Sequence, residues 1–230
     1  MMNTKKSMRV ALPLLMLAGI VGCSDSDPVT QMYEVTVTNL SNSQPLSPLA
    51  VALHSQTYSG WRVGESAGTG LEQLAEGGDN SMFLTDAVTE GAIATFSGAG
   101  VVTPGAAERI DVSVNSSTDL RLTVATMLVN TNDAFAGKGG IDLNALALGE
   151  QITMTLPVYD AGTEGNSERA GTIPGPADGG EGFNATRDDV NIVSRHSGVV
   201  TDIDGYADSV LDESHRFDAP VAQLVVRRVN

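Results

Sequence analysis

The sequence predicts an all-β fold, an antiparallel β-sandwich with one or two short helices in its connections. Three observations predict it. Apolar and polar residues alternate with period two in several short runs, turn residues recur between those runs, and only one stretch carries a clear helical pattern. Aromatic residues are 4% of the 230 residues while 25 are Gly, so small and β-branched side chains must build the core. Once the leader described below is set aside, about 200 residues remain, which suits one all-β domain. Such a domain is stable without disulfides or metals.

The elements follow in order. From Met32 to Asn39, Tyr33, Val35 and Val37 fall on one face, and Glu34, Thr36 and Thr38 on the other. That is a half-buried strand. Ser41 to Pro48 is a turn, and Leu49 to Leu53 a second strand ending at His54. Thr69 to Gly78 reads as a helix, with Leu71, Leu74 and Ala75 on one face, Glu72 and Glu76 pointing outward, and Gly77 as terminator. Asn80 to Val88 reads as a second helical turn capped by Asp79 or Asn80. Ala92–Phe96, Arg109–Val114, Leu120–Leu128, Gln151–Val158, Ser194–Thr201 and Pro220–Val229 are strand-like, with a short helical turn near Leu143–Leu148. Alternation in most of them favours antiparallel pairing with one wet face. Asp160 to Asp189 is polar, Gly-rich and aperiodic. A structureless stretch of that length is either mobile or tied down for function.

The N-terminus reads as a targeting segment. Lys5, Lys6 and Arg9 precede an apolar run from Val10 to Val21, interrupted by Pro13 and Gly19 and too short to span a bilayer. The run ends at Ile20-Val21-Gly22-Cys23, which resembles a lipobox, and Cys23 is the one Cys in the chain. The expectation is a lipoprotein signal over 1–22, lipidation of Cys23, a polar tether over 23–31 and a single domain over 32–230. Ser24 stands where an inner-membrane retention Asp would, which favours a lipid anchor in a bacterial outer membrane, facing the periplasm or the surface. The formal charge of −15 falls to about −18 once the three basic leader residues are removed. That balance argues against nucleic acid and anionic lipid headgroups as partners and is compatible with divalent cations.

Catalytic patterns are poor. There is no phosphate-cradling Gly loop and no paired His motif, and His54, His196 and His215 read as structural. No catalytic residue is assigned, and the chain reads as a non-enzyme. Asp202 to Glu213 imitates a helix-loop-helix calcium loop, but Gly205 sits at the fourth position instead of the sixth, so it reads as a turn. The acids that stand out are Asn132-Asp133 and the run Asp160-Ala-Gly-Thr-Glu164-Gly-Asn166, each following a strand. They can supply oxygen ligands to Ca²⁺, or be solvated turns.

These stretches resemble the spondin N-terminal domain, known from an animal matrix protein and from bacterial lipoproteins. The matching elements are Val35–Leu40, Gly70–Gly78, Thr126–Phe135, Asp160–Glu164 and His215–Ala222, in order through about Tyr33 to Val229. The resemblance implies an antiparallel sandwich with one calcium ion held by loops at one end. It carries Asp133, Asp160 and Glu164 over as metal ligands, with Asn132 and Asn166 as additional candidates. Animal members usually have Asp at the last position and a Trp after the first Asp, where this chain has Glu164 and Ala134. Their cysteines are absent here. Three functions follow as expectations: a calcium-binding module for an extracellular glycan or protein, a structural envelope lipoprotein without a specific ligand, or a hydrolase of matrix polymers.

Overall fold

The computed structural model describes residues 30–115, 119–218 and 220–230; the expected export signal, Cys23 and most of the expected tether lie outside the described residues. Among the described residues ten strands form two sheets. In chain order they are β1 Thr30–Asn39, β2 Ala50–His54, β3 Ala94–Ser97, β4 Ala107–Asn115, β5 Arg121–Met127, β6 Ala134–Asp142, β7 Gln151–Leu156, β8 Val158–Asp160, β9 Ser194–Arg195 and β10 Ala222–Arg228. Helices α1, Thr69–Gly77, and α2, Ser81–Thr89, lie between β2 and β3. One sheet has the order β4-β1-β10-β7, the other β3-β2-β5-β6-β8-β9, and the paired strands run antiparallel. Among the described residues no helix is long and apolar enough to cross a membrane.

The main core lies between the sheets. Val35, Val37, Leu224 and Val226 of the four-stranded sheet face Val51, Leu53, Leu122 and Val124 of the six-stranded one, all fully buried. Burying each such side chain contributes about 1.5–3 kcal/mol before the entropy cost. β1 keeps the expected alternation of buried and half-exposed residues. β2 and β5 do not have a wet face: α1 and α2 cover the outer side of the six-stranded sheet, where Leu71, Leu74 and Phe83 pack on Ala50, Ala125 and Phe135. Small residues at 50 and 125 let the helices sit close.

Several boundaries differ from the sequence reading, each for a physical reason. The expected strand Gln151–Val158 is two strands, broken at Pro157, which has no N–H for a ladder. β7 pairs with β10 in one sheet and β8 with β6 in the other, so the chain changes sheets at that proline. The run from 194 pairs only over Ser194–Arg195 and then turns at Gly198, whose φ is 99°. Leu143–Leu148 forms hydrogen-bonded turns and no helix. Helix α1 closes on Gly78, one residue later than expected, where the backbone N–H returns to the Leu74 carbonyl. Glu72 and Glu76 are buried, not outward, because the 161–193 segment folds over α1 and gives each a partner. β6 went unrecognised in the sequence.

Candidate functional site

β6 begins at Ala134 and β8 ends at Asp160, and these two residues pair across the ladder. Asp133 therefore sits immediately before one strand and Asp160 at the end of its neighbour. Antiparallel pairing alone brings the two acidic loops to one end of the sandwich. The platform beneath is rigid. Thr131 Oγ1 donates to the Leu128 carbonyl at 2.6 Å and accepts from the Ala134 N–H at 3.1 Å, while Gln44 brackets Asn130 through both its amide atoms.

Asp133 is completely buried. Its Oδ2 accepts hydrogen bonds from the Thr163 N–H at 2.8 Å, the Glu164 N–H at 3.1 Å and the Thr163 hydroxyl at 3.3 Å. Its Oδ1 has no partner. Burial pushes its carboxyl up to about 7, with Asp160 adding to the shift and the three hydrogen bonds opposing it. Asp160 Oδ1 accepts from the Gly162 N–H at 2.7 Å, and Oδ2 from the Asn166 side-chain amide at 2.6 Å. Gly162 has φ of 70°, and a Cβ there would stand 2.4 Å from the Ile192 carbonyl oxygen, so this turn admits only glycine.

Glu164 is buried with Oε2 unpartnered. Burial first, then Glu76, Asp133 and Asp188, push it up to about 8. Glu76, on α1, is itself raised by burial; one oxygen takes the Asn184 N–H at 2.9 Å and the other is unpartnered. Asn132 and Asn166 reach the site as clamps. Asn132 Oδ1 accepts from the N–H groups of Ser167 and Glu168 at 3.2 and 3.0 Å, and its amide donates to Thr172. Asn166 bonds Asp160 through its amide and His196 Nε2, 3.0 Å away, through its carbonyl. Because the Gly198 N–H donates to His196 Nδ1, the neutral ring carries its proton on Nε2 and donates to Asn166. Burial lowers the pKa of His196, consistent with that neutral form.

All three carboxylates expected from the sequence thus meet at one end of the sandwich. Sequence reasoning missed Glu168 and Asp188 and took Glu76 to point outward; His196, read as structural, bonds Asn166 and the Gly198 N–H. For Glu168 the available signal was a further acid in the same aperiodic run, four residues beyond Glu164. His54, by contrast, is a core residue between the Ser55 carbonyl and Thr123, far from any acid cluster in sequence. Asp204 of the rejected calcium-like loop is engaged with Arg216 and with Thr201.

Residues 38–174, more than half of the chain, match the family described as Spondin_N. The chain belongs to this spondin family. The match ends beyond Asp133, Asp160 and Glu164, so all three spondin loop acids fall inside it. No curated protein matches the chain. The donor set of this spondin domain fits a hard divalent cation: the unpartnered buried atoms near the loops are carboxylate oxygens, which burial makes costly to charge alone. Among the described residues no three His, Cys, Asp or Glu side chains already stand at ligating spacing, so binding would require the carboxylates to draw together.

Proposed function

We propose that this spondin domain is a calcium-stapled extracellular binding module, anchored by lipid at Cys23 to a bacterial outer membrane. The observation that supports the reading most is the unpartnered Oδ1 of fully buried Asp133, facing a neighbourhood that contains Asp160 and Glu164. A calcium ion supplies the positive charge that this buried cluster otherwise lacks. Asp133, Asp160 and Glu164 would hold it, and it would cross-link the 128–133 turn to the 160–166 loop.

The ligand surface lies beside that loop. A cleft lined by Asn166, Arg169, Asp188, Tyr206 and Asp208 opens next to the site, and Tyr206 is exposed. An exposed ring flanked by a guanidinium and carboxylates suits stacking and hydrogen bonding to a sugar or to a protein side chain. Calcium acts here by fixing the loop that carries Asn166. The test is a glycan and matrix-protein array probed with the mature protein, in calcium and in chelator. Calcium-dependent binding that Tyr206→Ala abolishes supports the module. Binding to nothing under either condition favours a purely structural envelope role.

A further inference from the structure

Glu168 has no role in the ligand set carried over from the family, yet it is the most unusual side chain at this end of the molecule. It is completely buried. Both of its carboxylate oxygens lack a hydrogen-bond partner, which holds for no other described residue among those with buried unpartnered atoms. Its backbone is held at φ of 45°, a left-handed conformation that is unfavourable for a non-glycine residue. Its N–H donates to Asn132 Oδ1 at 3.0 Å, and its carbonyl accepts from the Val210 N–H at 2.9 Å. Two clamps therefore hold a strained residue so that its carboxylate stays inside.

The same clamps set where it stands. Asn132 is the neighbour of Asp133, and Asn166, two residues before Glu168, is bonded to Asp160. Asp133 and Asp160 both act electrostatically on the Glu168 carboxylate. The Val200 backbone N–H favours the charged form and outweighs either Asp, although no side-chain oxygen of Glu168 reaches it at ordinary hydrogen-bond geometry. Nearby His196 is committed to Asn166 and Gly198 as a neutral ring, and Arg169 is exposed, so neither neutralises it. A buried carboxylate with two free oxygens and only acids for charged neighbours lacks one thing, a cation.

We infer that Glu168 is a fourth carboxylate ligand of the loop-end calcium site, beside Asp133 and Asp160. The inference rests on the calcium reading above. Calcium takes six to eight oxygens, and a carboxylate with both oxygens free can bind it in two-oxygen fashion. Glu164 has Glu76 and Asp188 as additional neighbours.

The experiment is calorimetric calcium titration of the mature protein and its Glu168→Gln variant, with terbium luminescence lifetime as a count of metal-bound water. The variant keeps shape and loses charge. Its calcium affinity should fall roughly tenfold or more, since affinity at such sites follows ligand charge. Its terbium complex should carry more water, and its chelator-treated form should melt higher than the parent because a buried uncompensated acid is gone. Equal calcium affinity and equal hydration in parent and variant would overturn the role of Glu168. If the parent itself binds no calcium, the underlying reading fails and Glu168 falls with it.

Discussion

Asp133, Glu164 and Glu168 share one electrostatic situation, burial among other acids, and it gives the molecule a pH signature. Each binds its proton more tightly in the folded chain, at about 7, 8 and 7, than an unfolded carboxyl does near 4. Stability from these groups is complete below the unfolded values and is lost as pH rises through the folded ones. In chelator, the urea midpoint should therefore drop between about pH 5 and pH 8.5. A midpoint that rose over this window would show that the carboxylates are compensated in some other way. Calcium competes for the same oxygens, so its affinity should be higher at pH 8.5 than at pH 6. Binding near pH 7 should release protons, read as a dependence of the calorimetric heat on the buffer's ionisation enthalpy. An affinity unchanged from pH 6 to 8.5 would mean that these groups do not bind the ion.

Two elements carry the site, and each was legible to a different degree. The amphipathic α1 was plain from Leu71, Leu74 and Ala75, but its acidic face misled. Glu72 and Glu76 look like solvent residues until the 161–193 segment is laid over them, and no local pattern announces a partner more than a hundred residues away. Arg187 provides that partner, with Nε and Nη2 reaching the two Glu72 oxygens at 2.8 and 2.7 Å and Nη2 also bonding the Ala67 carbonyl. Arg187→Ala should cost about 2–4 kcal/mol by chemical denaturation, because it leaves a buried acid uncompensated. It should also weaken calcium binding, since the adjacent Asp188 holds the Gly165 N–H and the Thr163 carbonyl. A loss under about 0.5 kcal/mol would mean the pair behaves as a surface ion pair.

β6 was invisible for the opposite reason. Its sequence, Ala-Phe-Ala-Gly-Lys-Gly-Gly-Ile-Asp, has neither alternation nor β-branched bulk over most of its length. The glycine at 137 is needed for packing: a Cβ there would meet the Trp61 ring at 2.7 Å and the Val124 carbonyl at 2.8 Å. Trp61 in turn stands edge-on to Phe135 and Tyr159, with centroids 5.1 and 5.5 Å apart. Gly137→Val should displace that ring, costing about 1–3 kcal/mol. Because Trp61 is the single Trp in the chain, a red-shifted emission maximum checks this directly. Unchanged emission and stability would contradict the packing. The loop acids Asp133, Asp160 and Glu164 stood out because they sit in short motifs; Glu168 was only one more acid in the same aperiodic run, and no local pattern marks its burial.

At the scale of the whole molecule, the fold is a sandwich without disulfides whose longest irregular segment is fixed at a few points, and the acidic loop end is where those points converge. Lipidation of Cys23 is the expectation for the other end of the chain: mass spectrometry of the native N-terminus should find an acylated Cys23, and a free thiol in a chain starting elsewhere would contradict it. The proposal to be tested is that the loop end binds one calcium ion and that the ion ties its two loops together. Saturating calcium should then stabilise the domain by mass action, about 2.7 kcal/mol at a hundredfold excess over the dissociation constant. Calorimetric titration of calcium into the mature protein and into Asp160→Asn tests it most directly. The account predicts one saturable site with a dissociation constant on the order of 10⁻⁴–10⁻³ M, as for extracellular modules, lost in the variant. Absence of saturable binding up to several millimolar (roughly the top of that range), or an Asp160→Asn protein that binds as the parent does, would contradict it.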